Sequence, residues 1–167
     1  NQTGFGLTSG LESLDDREQR EWVDAIAAGN LYVNRVTTGA IVLRQPFGGM
    51  GKSAFGPGIK AGGPNYVAQL MDFTITGTPR GSADIENSQL ADLCARLEAP
   101  DEATSTELDE ATREAIIGAI RSYDANYATE FGEAHDDFRL IGQDNISRYL
   151  PVGDVRVRVH PDDSTFD

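Results

Sequence analysis

Residues 37–70 read TTGAIVLRQPFGGMGKSAFGPGIKAGGPNYVAQL, and the fold turns on how this string is understood. From Gly39 to Gly63 it is crowded with glycine and keeps neither the period of two of a strand nor the 3.6 of a helix. It is therefore not one regular element. Pro46-Phe47-Gly48-Gly49-Met50-Gly51-Lys52-Ser53 ends in the Gly-Lys-Ser of a phosphate loop. Such a loop requires glycine six residues before the lysine, so that successive backbone N–H groups wrap the phosphates. That place is taken by Pro46, which has no N–H and a fixed φ. Gly56-Pro57-Gly58-Ile59-Lys60-Ala61 satisfies the looser G-x-G-x-x-A dinucleotide pattern. Proline between the glycines and the lack of a strand leading in favour turn-forming glycines instead.

Outward from this stretch the pattern becomes regular. Upstream, Ser13 with Asp16 forms an S-x-x-D box, and Trp22, Val23, Ile26 and Ala27 recur at helical spacing. These predict a helix over 14–28, closed by Gly29 in a left-handed C-cap, followed by an alternating strand over 30–36. Downstream, 65–71 reads as a short helix and 72–76 as a strand. Leu90, Leu93, Cys94 and Leu97 mark another short helix, and Pro100 with the acids after it reads as a linker. A long helix is expected over 105–130, with Leu108, Ala111, Ala115, Ile116, Ala119, Ile120, Tyr123 and Tyr127 on one face. The alternating run from Val155 to His160 predicts a strand.

The charge is unevenly placed. Of the net −13, residues 1–77 hold 7 acidic and 6 basic side chains, and residues 78–167 hold 20 acidic and 8 basic. An acidic second half repels a phosphate backbone, so nucleic acid is not the expected partner. No window is apolar enough to span a bilayer, and one cysteine excludes an internal disulfide. A cytoplasmic setting is expected. Cys94 lies among apolar residues as a packed thiol does, and His135 and His160 have no nucleophile or metal partner at recognisable spacing. No catalytic residue, no bound cofactor and no metal site is expected within the chain itself. The opening at Asn1, inside the Gly-rich string NQTGFGLTSG, leads to the expectation that the chain is cut from a longer one.

The joint motif carries a resemblance. The Asn-containing strand at Asn30 and Asn34 followed by Pro46-Phe47-Gly48-Gly49 resembles the end of the aldehyde dehydrogenase catalytic domain. Thr38-Gly39-Ala40 before it and Lys60-Ala61-Gly62-Gly63-Pro64-Asn65-Tyr66 after it are similar to the glutamate γ-semialdehyde dehydrogenase family, including the dehydrogenase half of bifunctional proline utilisation A. The resemblance covers residues 1–77. It implies an α/β fragment from the C-terminal part of a catalytic domain, followed by a linker over 78–104 and the start of a further α/β module over 105–167. It implies that the backbone N–H groups of Gly39 and Ala40 anchor the α-carboxylate of glutamate γ-semialdehyde, and that Phe47 lines the aldehyde tunnel. It implies a homo-oligomer joined through the strand 72–76.

The family's mechanism is thiolate attack on the aldehyde, hydride transfer to NAD and hydrolysis of the thioester, with FAD present where a proline dehydrogenase is fused. The motif cysteine, the dinucleotide domain and the general base are not in this sequence, so the chain alone is expected to be inactive. Arg139-Leu140-Ile141-Gly142-Gln143-Asp144-Asn145 and Arg148-Tyr149-Leu150-Pro151 resemble, less closely, a non-catalytic domain that follows the dehydrogenase in long members. The rival reading is a non-catalytic assembly or binding module that kept dehydrogenase-like sequence.

Overall fold

The computed structural model describes residues 1–41, 44–54, 58–74, 76–77, 81, 84–100, 108–158 and 160. Pro57, Ile75, Val159 and residues 78–80 and 105–107, on which some of the expectations above fall, lie outside them. The chain divides into two compact units, Asn1–Phe73 and Thr74–Asp167.

The first unit is built on a β–α–β crossover. Strand β2 (Thr8–Leu11) runs parallel to β3 (Asn30–Val33), with Thr8 opposite Asn30 and Leu11 opposite Val33, and helix α1 (Asp16–Ala25) connects them. Parallel neighbours require such a crossover. A short antiparallel ladder joins β1 (Phe5–Gly6) to β4 (Met50–Gly51). Helix α1 is shorter than its apolar spacing suggests, and its N-cap is Asp15, not Ser13. The Asp15 carboxylate accepts from the Arg17 N–H at 2.9 Å, and Ser13 instead accepts from the Asp15 N–H through its hydroxyl. At the other end, the Asn1 amide donates to the Ala25 carbonyl at 2.8 Å and accepts from the Ala27 N–H at 2.8 Å. That side chain satisfies the groups a longer helix would have paired, so Ile26 is already extended. Gly29 is accordingly no C-cap. It is a point of close approach, since a Cβ there would lie 1.8 Å from the Gly48 carbonyl oxygen.

Two further expectations are corrected in this unit. Residues 65–71 form turns and a single 3-10 turn, Ala68–Leu70, in place of a helix. The described part of 72–76 is not in a strand, and Phe73 is 80% exposed. Alternation alone does not make a strand; a ladder partner must supply the hydrogen bonds.

The second unit is helical at its centre. Helix α2 (Ser88–Glu98) packs on helix α3 (Glu110–Asn126), which runs on through a π turn, Tyr127–Phe131. Cys94 and Leu97 of α2 meet Ile120 of α3 and Leu108 in one apolar cluster, with Ile85, Leu90, Ile116 and Ile117 against its rim. Tyr123 and Tyr127, expected on this face, are exposed. Asp124 turns inward instead, its carboxylate accepting from the N–H groups of Glu86 at 2.8 Å and Asn87 at 3.0 Å. A buried carboxylate that gathers two backbone donors locks the entry to α2, where Asn87 is the N-cap. Strands β5 (Ala134–His135) and β6 (Ser147–Arg148) form an antiparallel pair. The described residues of 155–160 are not in a strand. The mixed helix-and-strand character read from the sequence is what the structure has.

Candidate functional site

The Gly-rich stretch is held in place by two polar side chains from unlike positions. Asn30, the first residue of β3, donates through its amide to the Pro46 carbonyl at 3.0 Å and accepts from the Gly48 N–H at 3.2 Å. The Lys60 ammonium donates to the Gly48 carbonyl at 2.8 Å and also to the Gly29 carbonyl. Between these ties Phe47 pairs with Ala61 through both of its backbone groups, at 3.0 and 2.8 Å. The chain can come this close only because it has no side chains there. A Cβ on Gly49 would lie 2.3 Å from the Ser53 carbonyl oxygen. Lys60 is partly buried with no ion-pair partner among the described residues, and burial lowers its pKa. Sequence reading treated Lys60 as one letter of a motif; its role depends on carbonyls 31 and 12 residues away.

The other half of the region lies at the carboxyl ends of β2 and β3. Asn34 sits there at φ 56°, in the left-handed region that asparagine tolerates. Its amide accepts from the Ser13 N–H at 2.9 Å and donates to the Ser13 carbonyl at 2.8 Å, stapling the two strand ends together. Beyond the staple opens a hollow of about 500 Å³ lined by Gly10, Glu12, Arg35, Val36, Thr37 and Thr38. Arg35 lies with its guanidinium 5.1 Å above the ring of the buried Tyr32. The loop continues from Thr38 into Gly39, which is exposed at φ +82° with open space where a Cβ would be, and the half-buried Ala40. Of the three residues singled out from the sequence, Gly39 and Ala40 directly follow the hollow's wall. Phe47 belongs to the clamped stretch and is 36% exposed; the residues lining the hollow do not include it. The staple and the charged pair Glu12 and Arg35 were missed from the sequence. The signal that could have found them is their position just past two strands that a helix joins in parallel.

No other described group is set up for chemistry. Cys94 is buried, and burial followed by the nearby Glu98 carboxylate raises its thiol pKa, the opposite of what a nucleophile needs. Among the described residues no group of His, Cys, Asp or Glu is arranged to hold a metal ion, and no helix is long and apolar enough to cross a membrane. The β2–α1 turn does not fit NAD. A dinucleotide pyrophosphate rests on the free N–H groups of a helix start behind a glycine turn. Here Glu12-Ser13-Leu14-Asp15 contains no glycine, Asp15 already occupies the Arg17 N–H, and Asp16 and Glu18 fill the first turn.

Residues 1–75 match the model of the aldehyde dehydrogenase family. The chain is 51% identical over 71 residues to the bifunctional protein PutA of Rhizobium meliloti, which covers 42% of this chain and 6% of that protein. It is 40% identical over 103 residues to the PutA of Klebsiella aerogenes, covering 60% of this chain and 8% of the relative. It is 43% identical over 76 residues to a 1-pyrroline-5-carboxylate dehydrogenase of Bacillus cytotoxicus, covering 46% and 14%. Among solved structures, proline utilization A from Corynebacterium freiburgense superimposes with a TM-score of 0.59 at 40% identity. That match covers 91% of this chain, and so extends well past residue 75, but 14% of the neighbour. The chain thus spans a small part of the length of each of these proteins.

Proposed function

We propose that this chain supplies the substrate-gripping part of a dehydrogenase that oxidises glutamate γ-semialdehyde to glutamate in proline catabolism, with NAD as hydride acceptor. The observation that carries the reading is the Thr38-Gly39-Ala40 loop. Thr38 and Gly39 are exposed past the ends of two parallel strands, with Gly39 at a left-handed φ and no described atom within 4 Å of where its Cβ would stand. Successive backbone N–H groups around a left-handed residue form a small concave donor set, which holds a carboxylate without a cationic side chain. In this reading the N–H groups of Gly39 and Ala40 hold the α-carboxylate, and Phe47 packs on the aliphatic chain that leads to the aldehyde. The names of the relatives favour this substrate, since pyrroline-5-carboxylate is the ring-closed form of the semialdehyde. The β2–α1 turn does not fit the dinucleotide and burial raises the Cys94 thiol pKa, so in this reading the chain's own part is to bind and orient. FAD enters only where a proline dehydrogenase accompanies the dehydrogenase. The setting is cytoplasmic.

The test uses the chain itself, labelled with ¹⁵N and titrated with L-glutamate, the reaction's product. Saturable shifts of the Thr38, Gly39 and Ala40 amides are expected, weakened by Gly39→Ala. Amides there that stay still at saturating glutamate defeat the reading.

A second reading has its own observation. Val67, Leu70, Met71 and Phe73 expose a run of apolar side chains around 72–76. Such a run suits pairing with a second copy of the chain or with another part of a dehydrogenase, making this an assembly element. Sedimentation velocity distinguishes it: a dimer lost on Phe73→Ser favours assembly, and a monomer at high concentration removes self-association.

A further inference from the structure

We infer that the hollow at the carboxyl ends of β2 and β3 reads the zwitterionic head of an α-amino acid, with Glu12 taking the ammonium group and Arg35 backing the carboxylate. The inference deepens the proposed function and rests on it, because the neighbouring loop is there taken to hold the same carboxylate.

Position comes first. In open α/β sheets, ligands settle outside the carboxyl ends of parallel strands, where the connecting loops part. Glu12 follows β2 directly and Arg35 follows β3 after one residue. The bidentate contact between Asn34 and the Ser13 backbone ties down the residue after Glu12 and the residue before Arg35. Both side chains therefore leave a fixed base. Gly10 keeps the wall thin, since a Cβ there would lie 2.5 Å from the Thr37 methyl group. The hollow is open to solvent, with about 500 Å³ of space above its lining residues.

Charge decides the ligand class. Glu12 and Arg35 line one hollow yet form no ion pair with each other, and neither side chain has a hydrogen-bond or ion-pair partner among the described residues. The Arg35 guanidinium carbon lies 5.1 Å from the centroid of the Tyr32 ring, which is 4% exposed, so the cation rests against a buried neighbour. A guanidinium carries N–H donors that can meet a carboxylate. A simple anion would answer Arg35 but be repelled by Glu12; a simple amine would do the reverse. A ligand with ammonium and carboxylate on one carbon satisfies both. Thr37 and Thr38 add neutral hydroxyls at the rim. Under this arrangement the site selects an amino-acid aldehyde over an otherwise similar aldehyde acid that lacks the amino group.

Two probes of equal reach test it: L-glutamate, and glutarate, which keeps both carboxylates and lacks the ammonium. With the ¹⁵N-labelled chain, glutamate is expected to bind about tenfold more tightly than glutarate, the scale of one charge-assisted hydrogen bond. Glu12→Gln should remove that preference, weakening glutamate and relieving the repulsion of glutarate, and Glu12→Asp should keep part of it. Arg35→Met should weaken both ligands. Glu12 is exposed, and a dispersed amide spectrum of each variant verifies that it still folds. If both ligands shift the Thr38 to Ala40 amides equally, or Glu12→Gln leaves the preference intact, this inference is overturned while the carboxylate grip stands. If neither ligand shifts them, both fall together.

Discussion

In Asn1–Phe73 the Gly-rich stretch is held by polar ties, an asparagine amide and a lysine ammonium reaching backbone carbonyls, with glycines letting strands of chain touch. In Thr74–Asp167 two helices close around Cys94, Leu97, Leu108 and Ile120, and one buried carboxylate fixes the approach to α2. The first unit is specified by single residues whose partners are remote in sequence. The second is specified by a stripe that repeats every three or four residues. A unit of the first kind has little slack at a few points and much elsewhere; a unit of the second kind spreads its tolerance along a face.

The contrast is broken most directly by Gly29→Ala. The added methyl carbon would stand 1.8 Å from the Gly48 oxygen and 2.9 Å from the Gly49 Cα, both backbone atoms that cannot swing away. A loss of about 4 kcal/mol or more is expected, at the exceptional end for one methyl group. Urea unfolding read from Trp22, the chain's one tryptophan and a residue of α1, measures it. A small effect would show that the stretch 46–49 gives way, and that the clamp is not the frame of this unit.

The matching change in the second unit is Leu97→Ala. Leu97 is 2% exposed at the centre of the apolar cluster, and truncating it should cost about 3 kcal/mol through lost burial and the cavity left behind. Far-UV circular dichroism, to which α2 and α3 contribute strongly, follows the loss. A cost under about 1 kcal/mol would mean that the cluster collapses onto the gap, and that the two units differ less in slack than their packing suggests.

How much of this was legible follows the same divide. Helices α2 and α3 were visible from their apolar spacing, because a helix satisfies its backbone within its own segment. The stripe held at Leu108, Ile116 and Ile120 but not at the exposed Ala111 and Ala115, nor past Ile120, where Asp124 replaces Tyr123 at the interior for the sake of two N–H groups in another segment. The strands proposed at 72–76 and 155–160 alternate correctly and yet carry no ladder among the described residues, since pairing is a property of two segments and alternation of one. Gly39, Ala40 and Phe47 were named through a resemblance, not through chemistry visible in their neighbours. Lys60 and Asn34 were passed over for one reason: each acts on backbone groups that only the folded chain brings near.

Gly39→Ala sharpens the comparison within the first unit. Gly29 and Gly39 are both glycines of the same region, but a Cβ on Gly39 meets nothing within 4 Å and suffers only from φ +82°. The expected cost is about 1 kcal/mol, the strain of a left-handed alanine. Stability should thus barely change while glutamate binding at the loop weakens. Equal losses for the two glycines would mean that the loop is as tightly packed as the clamp.

Lys60→Met tests the polar tie itself and carries the finest distinction. Removing the ammonium leaves the Gly29 and Gly48 carbonyls without their donor, at a cost of about 2 kcal/mol near neutral pH. Whether the tie works as a charge or as a set of N–H donors is read from pH. Burial holds the Lys60 pKa below its ordinary 10.5, so the unfolded chain binds the proton more readily than the folded one. Between the lowered value and 10.5, stability contributed by this group must rise with pH; below that window the burial penalty is in full force. The neutral amine still has two N–H groups for two carbonyls, so deprotonation need not release either bond. The stability gap between the native chain and Lys60→Met should therefore widen modestly as pH climbs toward 10.5. Titrations common to both proteins cancel in that difference. A gap that narrowed instead would show that the ammonium charge holds the carbonyls more strongly than burial opposes it, and that the clamp of the first unit is electrostatic.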